Sequence, residues 1–402
     1  MSVSDGLSMH QNMFYVIALL LFWISVWALL HTYMIYPLIV RFLSARKEHT
    51  GPSYSEHELP TVSILIPAHN EEAVIGQKIA SIFQSDYPED KLEVIVGSDA
   101  SIDRTDELVL SLSKSNLRIR LIRMNERGGK ATVLNRITNA ASGEILVLSD
   151  ANVMFEKNTL YEMVKYFKDP NIGLIDTSMR HTGMKKSGIS IPEKTYLRGE
   201  AALKHGEGLL WGVMMGPFGG CFAMRKSLYT DIPSNCLVDD FYLCMCVLQK
   251  GYRAISQPHA VVIEDISNDM RDEFRRKVRI ATGNFQNLAF FYQVLLRLDT
   301  LSFAFFSHKI LRWVGPLFLI VIGIFAAPLM KTNPANYVFG ILVIIAVMLL
   351  IIDAFLRRMN VHFAATRLLT HFITTNVALL VGMIRFVDGV KTGAWTPTRR
   401  HQ

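Results

Sequence analysis

The chain has 402 residues; half of them are hydrophobic, 19% are charged, and the formal net charge is +7. So few charges are unusual for a wholly soluble protein, and the length allows more than one compact unit. The positive balance suits anionic lipids or anionic nucleotides as partners. It does not indicate nucleic acid as a partner, because acidic residues interleave with the basic ones and the chain has no zinc-finger spacing.

Apolar runs lie near both ends of the chain. The first, residues 13–30, is long enough to cross a hydrocarbon core about 30 Å thick. No Lys or Arg precedes it, whereas Arg41, Arg46 and Lys47 follow it, so we expect an uncleaved anchor rather than a signal peptide. The same charges predict a cytoplasmic position for the chain after residue 40, in a protein integral to the inner or plasma membrane.

Three further apolar runs occupy residues 313–330, 337–352 and 372–384. The last is short and contains two threonines and an asparagine, so it is the weakest candidate for a full span and the first candidate for a re-entrant or interfacial segment. The predicted division is an N-terminal transmembrane anchor (1–47), a cytoplasmic catalytic domain (48–285), an amphipathic helix in the membrane interface (286–308), and a C-terminal transmembrane region with a basic tail (309–402).

Between residues 60 and 150, short apolar runs alternate with amphipathic stretches. They predict strands at residues 61–66, 92–97, 117–122 and 145–149, and helices at residues 72–85, 103–113 and 130–141. This alternation is typical of an α/β domain with a mainly parallel sheet. Polar clusters follow the strands at residues 67–71, 98–103 and 150–152. Because ligands of open α/β sheets bind at the carboxyl ends of strands, we expect these clusters to face one site.

The predicted strand at residues 145–149 is followed by Asp150 and Asn152. Side-chain oxygens at this spacing can bind Mg²⁺ or Mn²⁺, which prefer hard ligands and share them with substrate phosphates. A strand followed by an Asx turn has the same sequence pattern, and the residues alone do not separate the two interpretations.

Two other clusters in the first half have a chemical and a structural interpretation. Asp99 can accept hydrogen bonds from a base or a ribose, whereas Asp103 is better explained as a cap of the following helix. Gly128 and Gly129 let backbone amides approach an anion, and Lys130 adds positive charge at a helix start. The chain has no G-x-G-x-x-G and no Walker A pattern, which argues against a dinucleotide dehydrogenase and a P-loop ATPase.

The second half of the domain contains an acidic pair and a basic stripe. Asp239 and Asp240 open an apolar helix, where they can cap it or supply a general base for a sugar hydroxyl. The basic stripe at residues 275–283 can face the membrane surface or neutralise a diphosphate leaving group. We interpret the four cysteines as packing residues rather than a metal site.

In this order the motifs resemble those of the processive and lipid-acting family-2 glycosyltransferases, the group of the cellulose, chitin and hyaluronan synthases and of ceramide glucosyltransferase. The resemblance covers residues 60–290 and implies a GT-A-like nucleotide-sugar-binding fold. It implies a UDP-sugar donor, with Pro67, Glu71 and Asp99 beside the uridine and Lys130 near the nucleotide. Asp150 stands in the position of the family's D-x-D, which implies that it holds Mg²⁺ or Mn²⁺ and the donor diphosphate.

The resemblance also implies roles for residues of the second half. Asp240 matches the general base of the family's E-D or D-D pair, and Asp239 lies beside it on the acceptor side. Arg276 and Arg279 match the [Q/R]-x-x-R-W element, in which the arginine steadies the departing diphosphate.

The acceptor side contains both a likeness and two departures. The sequence Gly-Pro-Phe-Gly-Gly-Cys at residues 216–221, which includes Gly219 and Gly220, resembles the family's acceptor-side loop. Asn152 replaces the second acid of the D-x-D with a weaker, neutral metal ligand. Ile280 replaces the final Trp, which in the synthases stacks on the acceptor sugar.

These features predict an inverting glycosyltransferase that moves a sugar from a UDP-sugar to a growing polysaccharide, and the tail at residues 395–399 resembles the basic C-terminal signature of polysaccharide synthases. Transfer of a single sugar to a lipid is the alternative, and Ile280 favours a less processive enzyme. A nucleotide-binding membrane scaffold would not need a base such as Asp240. A two-metal phosphatase or nuclease usually needs several carboxylate clusters, and the sequence offers one convincing cluster. Membrane lipids are further expected partners.

Overall fold

The computed structural model describes residues 3–182, 190–265, 270–330, 334–359, 364–390 and residue 393. The basic tail expected at residues 395–399 lies outside this part of the chain. A polar domain built on one sheet is joined to long apolar helices before and after it. The boundary expected between residues 285 and 286 falls inside a single helix, Met270–Phe291, so the chain is continuous there.

Within the described residues the sheet has eight strands. In chain order they are β1 (Val62–Ala68), β2 (Leu92–Ser98), β3 (Ile119–Arg123), β4 (Ile145–Ser149), β5 (Val153–Phe155), β6 (Ile172–Thr182), β7 (Cys221–Arg225) and β8 (Arg253–Asp265). They lie side by side in the order β3-β2-β1-β4-β7-β6-β8-β5. The first four are parallel, as the sequence predicts, but β7 is antiparallel to β4 and β6, and β5 is antiparallel to β8. The sheet as a whole is therefore mixed.

The helices fall into an apolar group at the two ends of the chain, which contains the candidate membrane helices, and a domain group between them. In chain order they are α1 (Val3–Leu30), α2 (Tyr36–Ser44), α3 (Ile75–Phe83), α4 (Thr105–Ser115), α5 (Lys130–Ala140), α6 (Thr159–Val164), α7 (Ser190–Trp211), α8 (Asp239–Gln249), α9 (Met270–Phe291), α10 (Thr300–Ala304), α11 (Leu311–Trp313), α12 (Gly315–Leu329), α13 (Pro334–Arg358) and α14 (Ala364–Val387). Between residues 60 and 150 every predicted strand and helix is confirmed, with ends that differ by at most three residues.

The sheet is buried on both faces, which explains the nearly continuous apolar runs of its parallel strands. All seven residues of β1 are buried. Successive side chains of a strand point to opposite faces, so Leu65 packs into one core cluster and Ile64 and Ile66 pack into another. The four cysteines are free and buried, which agrees with their interpretation as packing residues.

Three helices in the described part of the chain are long and apolar enough to cross a membrane, spanning Met13–Ser44, Pro334–Leu356 and Thr366–Val387. Two further helical segments, Thr300–Trp313 and Gly315–Leu329, are long and apolar enough to cross a membrane only if they are counted as one span. They are bent by 56° where they meet. The segment expected to be the weakest span, residues 372–384, therefore lies within a full-length candidate. The irregular segment is instead the run at residues 313–330, because α12 has 15 residues and rises only about 22 Å.

The buried carboxylate of Glu207 connects the domain to these membrane helices. Tyr36 Oη at the start of α2 donates a hydrogen bond to Glu207 Oε1 at 2.8 Å, and His308 Nδ1 lies 2.7 Å from the same oxygen. On the domain side, the Met215 amide donates to Glu207 Oε2 at 3.2 Å. One side chain of α7 thus binds groups from α2, from the bent segment and from the loop that precedes β7.

Glu200 lies two turns earlier on α7 and forms ion pairs with the bent segment. Lys309 Nζ lies 2.7 Å from Glu200 Oε1, and an Arg312 guanidinium nitrogen lies 2.6 Å from Glu200 Oε2. Burial would raise the pKa of Glu200, but the charges of His308, Lys309 and Arg312 hold it well below its ordinary value. The bend after Trp313 therefore keeps these polar groups against the domain and away from lipid.

A packing prediction follows from Gly97, where α5 crosses β2. A Cβ added there would lie 2.4 Å from Val133 Cγ1 and 2.8 Å from Ile137 Cγ2, so Gly97→Ala should lower the free energy of unfolding by about 1–3 kcal/mol. Gly76→Ala in α3 is the matched control, because nothing lies within 4 Å of its added Cβ. Urea unfolding of the full chain in detergent measures both. Equal midpoints for Gly97→Ala and the unmutated protein would contradict this packing.

Candidate active site

The loops after β1 and β2 meet at the carboxyl edge of the parallel strands. Pro67, the next-to-last residue of β1, is paired with Gly97 of β2. Glu71 is buried in the following loop, and its amide donates a hydrogen bond to Thr105 Oγ1 at 2.8 Å. Asp103 Oδ1 accepts a hydrogen bond from the Thr105 amide at 3.0 Å, so Asp103 forms a turn just before α4, whereas the N-cap position itself is occupied by Arg104.

Asp99 is fully buried at the same edge, directly after β2. Its Oδ1 accepts a hydrogen bond from the Gly128 amide at 2.7 Å, and its Oδ2 accepts one from the Gly129 amide at 3.1 Å. Gly129 has a φ of +84°, which glycine adopts without steric cost. The anion expected beside these two amides is thus the carboxylate of Asp99, which fixes the loop that leads into Lys130.

Lys130 is the first residue of α5 and lies between two carboxylates. Its Nζ is 2.9 Å from Asp150 Oδ1 and 3.5 Å from Asp239 Oδ2. Burial alone would lower the pKa of Lys130, but Asp150, Asp239 and Asp240 together raise it above the ordinary lysine value. The ammonium group therefore stays charged at neutral pH and links the turn after β4 to the start of α8.

Asp150 and Asn152 lie in the turn after β4. The Val153 amide closes this turn by donating to the Asp150 carbonyl oxygen at 3.2 Å. Asn152 Nδ2 donates to Glu264 Oε1 at 3.2 Å, which leaves the Asn152 side-chain oxygen for another partner. The described ranges contain no group of three His, Cys, Asp or Glu that could hold a metal ion. These residues fit a divalent cation that takes one or two protein oxygens and completes its shell with phosphates and water.

Asp239 and Asp240 are the first residues of α8 and border the acceptor-side loop. Burial and the neighbouring charge of Asp239 raise the pKa of Asp240 to about 6, which suits a general base at neutral pH. Gly219 has a φ of +83°, and a Cβ there would lie 2.6 Å from Asp240 Oδ2. The carbonyl oxygen of Gly220 accepts a hydrogen bond from the Asp150 amide at 2.9 Å. The loop thus contacts both the acidic pair and the turn after β4.

The two arginines of the predicted diphosphate element differ in their surroundings. Arg279 on α9 donates to the Leu237 carbonyl oxygen at 3.5 Å, next to the acidic pair. Burial and the charge of Arg276 lower the pKa of Arg279, whereas the three site carboxylates act in the opposite direction. Arg276 pairs with Glu273 one turn earlier, at 3.9 Å. Ile280 is half-buried directly after Arg279.

Sequence reasoning missed two side chains of α9 that hold the loop before the acidic pair. Gln286 donates to the Asn235 carbonyl oxygen at 2.9 Å and accepts from the Leu237 amide at 3.1 Å. Asn287 donates to the Val238 carbonyl oxygen at 3.2 Å. Both side chains are buried. The signal available in the sequence was a pair of adjacent amide residues in a stretch otherwise rich in apolar and aromatic residues.

Lys78 is another missed residue, and it lies behind the turn after β4. Its Nζ donates to Ser149 Oγ at 2.7 Å and to the Val153 carbonyl oxygen. Burial lowers the pKa of Lys78 to about 7. The helical period gave a signal, because Lys78 shares the buried face of α3 with Ile75 and Ile79.

Lys204 is a further missed residue, and it contacts the acceptor-side loop through Phe218. Its buried ammonium group lies 3.2 Å from Asp176 Oδ2 and 3.5 Å from the centre of the Phe218 ring. Asp176 Oδ1 also accepts a hydrogen bond from the Phe218 amide at 3.2 Å. This ion pair fixes Phe218, and with it the turn that brings Gly219 against the acidic pair.

Comparisons with known proteins identify the family of the domain and its fold. Residues 63–232 match the profile described as Glycosyl transferase family 2. This chain carries a glycosyl transferase family 2 domain. Mannosyltransferase PcManGT from Pyrobaculum calidifontis, solved in complex with GDP-Man and Mn²⁺, aligns with a TM-score of 0.68 and 22% identity over 92% of this chain and 99% of that one. The fold is therefore GT-A-like, as the sequence predicts.

Curated relatives of the family 2 domain have names that refer to different products. Probable glycosyltransferase YdaM of Bacillus subtilis (strain 168) is 28% identical over 289 residues, which is 68% of this chain and 66% of that protein. Beta-monoglucosyldiacylglycerol synthase of Synechocystis sp. is 31% identical over 156 residues, which is 37% of this chain and 32% of that protein. Poly-beta-1,6-N-acetyl-D-glucosamine synthase of Staphylococcus aureus (strain COL) is 24% identical over 251 residues, which is 61% of this chain and 58% of that protein. The chain spans less than two thirds of the length of each of these relatives.

A kinetic prediction follows from the contacts of Gln286. Gln286→Ala frees the loop that carries the acidic pair, and a misplacement of about 1 Å can cost about 10² in rate. We therefore expect turnover in glycosyl transfer to fall about ten- to hundredfold, with little change in the KM of the donor. Gln293→Ala is the matched control, because Gln293 is exposed just after α9. Unchanged turnover of Gln286→Ala in steady-state kinetics, or an equal loss in both variants, would contradict this role.

Proposed function

We propose that this protein is an inverting membrane glycosyltransferase that transfers a sugar from a UDP-sugar to an acceptor hydroxyl. The observation that carries the proposal is the position of Lys130, 2.9 Å from Asp150 and 3.5 Å from Asp239. It connects the turn suited to a donor diphosphate with the helix start suited to a base. Asp240, with its pKa raised to about 6, adds a proton acceptor that a binding scaffold would not need.

In this mechanism Asp240 accepts the proton of the acceptor hydroxyl while the hydroxyl oxygen attacks the anomeric carbon of the donor sugar. The bond from that carbon to the diphosphate breaks in the same step, which inverts the configuration. Arg279 and Lys130 offset the negative charge that develops on the leaving nucleotide. UDP is proposed as the leaving group from the resemblance of the motifs; PcManGT was solved with GDP-Man, so the guanine nucleotide is the comparison to include.

Mg²⁺ or Mn²⁺ is the proposed cofactor, held by Asp150 and by the free side-chain oxygen of Asn152. When bound there, the cation would supply positive charge to the donor diphosphate. The hydrogen bond from Asn152 Nδ2 to Glu264 would fix the side-chain amide of Asn152 and so orient its oxygen toward the cation. The Mn²⁺ in the PcManGT complex supports the use of a divalent metal.

The proposed acceptor is a growing polysaccharide, with a lipid that receives one sugar as the alternative. The named activities of two relatives, a poly-N-acetylglucosamine synthase and a glucolipid synthase, support one acceptor each. Ile280 favours the alternative, because it provides apolar contact without a flat ring for a sugar face. Product size by gel filtration, together with extraction into organic solvent, distinguishes a polymer from a glycolipid.

The protein is proposed to be integral to the membrane, with the family 2 domain on the cytoplasmic side. The candidate span Met13–Ser44 is followed by Arg46 and Lys47, and basic residues favour the cytoplasmic side of a span. Cytoplasmic UDP-sugar would then reach the site directly.

The proposed reaction is tested by incubating the purified full chain with a panel of UDP-sugars and GDP-mannose and measuring nucleotide release. Release of UDP from one sugar, increased by acceptor, supports the proposal. No release from any donor, with nucleotide still bound, would favour the scaffold. The anomeric configuration of the product, read by NMR, tests inversion.

Asp240→Asn should retain donor binding and lose most turnover, because removal of a general base typically costs about 10² to 10⁴ in rate. Single-turnover kinetics and UDP binding by calorimetry separate the two effects. Asp239→Asn is the companion variant. If Asp240→Asn keeps near-normal turnover and Asp239→Asn does not, the base is Asp239.

Because the pKa of Asp240 is raised, its assignment as the general base can also be tested by the pH dependence of turnover. A base must be deprotonated to accept a proton, so turnover should decline about tenfold per pH unit below a value near 6. If the decline of turnover at acidic pH persists unchanged in Asp240→Asn, the decline belongs to another titrating group.

Removal of divalent metal should abolish UDP release, because the diphosphate charge must be offset as it leaves. EDTA is expected to stop the reaction, and added Mg²⁺ or Mn²⁺ to restore it. Asp150→Asn should weaken Mn²⁺ binding as measured by electron paramagnetic resonance. Full activity in excess chelator would contradict the metal assignment.

A further inference from the structure

The turn that carries Asp150 and Asn152 lies where the sheet curls back on itself. Residues 150–152 alone connect β4 to β5, although β5 is four places away from β4 in the strand order. In a flat sheet, four spacings of about 4.8 Å would separate the two strands by about 19 Å. The chain from Ser149 to Val153 can span at most about 14 Å. The sheet must therefore curl until its last strand approaches β4, and the turn crosses the gap between them.

The side chain of Lys78 on α3 connects the two sides of this gap. Its Nζ donates a hydrogen bond to Ser149 Oγ at 2.7 Å and another to the Val153 carbonyl oxygen. These are the last residue of β4 and the first residue of β5. The same nitrogen lies 3.8 Å from the centre of the Phe155 ring, and one turn further along α3 Ser81 Oγ accepts a hydrogen bond from the Phe155 amide at 3.2 Å. Helix α3 therefore holds both strand ends.

The burial of Lys78 is not explained by a gain in stability. Its side chain is fully buried, and the removal of an amine from water is costly unless its donors are satisfied. Its two hydrogen bonds go to uncharged oxygens, and an apolar side chain of similar length would fill the space without that cost. Burial lowers the pKa of Lys78 to about 7, but the charged and the neutral amine both carry the two N–H donors that these bonds need. What the amine provides is a fixed separation of the two strand ends.

We propose that Lys78 is a positioning residue of the donor site, because it holds the two ends of the 150–152 turn and thereby sets how Asp150 and Asn152 present their oxygens to a divalent cation. The inference rests on the metal role proposed above. Lys130 binds the Asp150 carboxylate itself, whereas Lys78 binds the residues that flank the turn. The two lysines therefore act on the same turn in different ways.

The test uses the full chain in detergent and measures the Kd of Mn²⁺ by electron paramagnetic resonance in the presence of UDP. Lys78→Met keeps the length of the side chain and removes both donors. We expect Mn²⁺ to bind about tenfold more weakly, since groups that orient metal ligands contribute about that much to metal affinity. Hydrogen exchange at the Asp150 and Val153 amides, followed by mass spectrometry, should become faster in the same variant.

Lys226→Met is the matched control. Lys226 is half-buried and also donates to a backbone carbonyl oxygen, that of Ala141. It lies at the opposite end of β4, where its own amide donates to the Glu144 carbonyl oxygen at 2.9 Å. Its removal should therefore change neither the affinity for Mn²⁺ nor the exchange of the amides in the 150–152 turn. An equal loss of Mn²⁺ affinity in both variants would overturn the positioning role.

Ser149→Ala tests the same link by a smaller change, and it decides the question if Lys78→Met does not fold. It should weaken Mn²⁺ binding less than Lys78→Met does. The double variant should bind Mn²⁺ as Lys78→Met does, because residues that act through one contact are not additive. Additive losses, or unchanged Mn²⁺ affinity in the single variants, would overturn the role of Lys78 and leave the metal assignment intact. Failure of the unmutated chain to bind Mn²⁺ would overturn the metal assignment itself, and the inference with it.

Discussion

The ion pairs of Lys130 are the contact on which the rest of the site depends. Without the ammonium group, the carboxylates of Asp150 and Asp239 would face each other uncompensated, and like charges at short range in a partly buried site repel strongly. Lys130 is itself positioned from the nucleotide edge, because it follows the loop whose amides bind Asp99. A change at Asp150 or Asp239 therefore reaches the other through the Lys130 side chain, and a change at Asp99 reaches both through the loop that precedes Lys130.

The mixed half of the sheet explains how the acceptor-side loop reaches this point. β7 is antiparallel to β4, so its first residue, Cys221, is paired with Ser149, the last residue of β4. The chain that enters β7 thus meets the chain that leaves β4, and Gly220 binds the Asp150 amide there. In a wholly parallel sheet the loop before a strand lies at the opposite edge. The departure from parallel order is therefore the feature that brings the loop before β7 to the same edge as the turn after β4.

Sequence reasoning succeeded where the pattern is local. The strands and helices of residues 60–150 follow a regular alternation, and their ends fixed the edge at which the acidic residues meet. β8 was missed because Pro258 and neighbouring polar residues interrupt its pattern, while its pairing with the distant β6 stabilises it. Local patterns single out Gln286 and Lys78, but their partners lie in segments far away in the chain, so their roles could not be predicted. The bend before α12 has the same origin, since Lys309 and Arg312 pair with a carboxylate of the distant α7.

The two carboxylates of α7 have a consequence for how the molecule can be divided. Glu207 and Glu200 are compensated almost entirely by groups from the membrane helices, namely Tyr36, His308 and the two cations that follow His308. A fragment cut at the membrane boundaries would keep both acids and lose their partners, and a buried charge without its partner is strongly destabilising. The catalytic part is therefore not an independent module. We therefore expect the domain to complete its folding only together with the helices that neutralise α7.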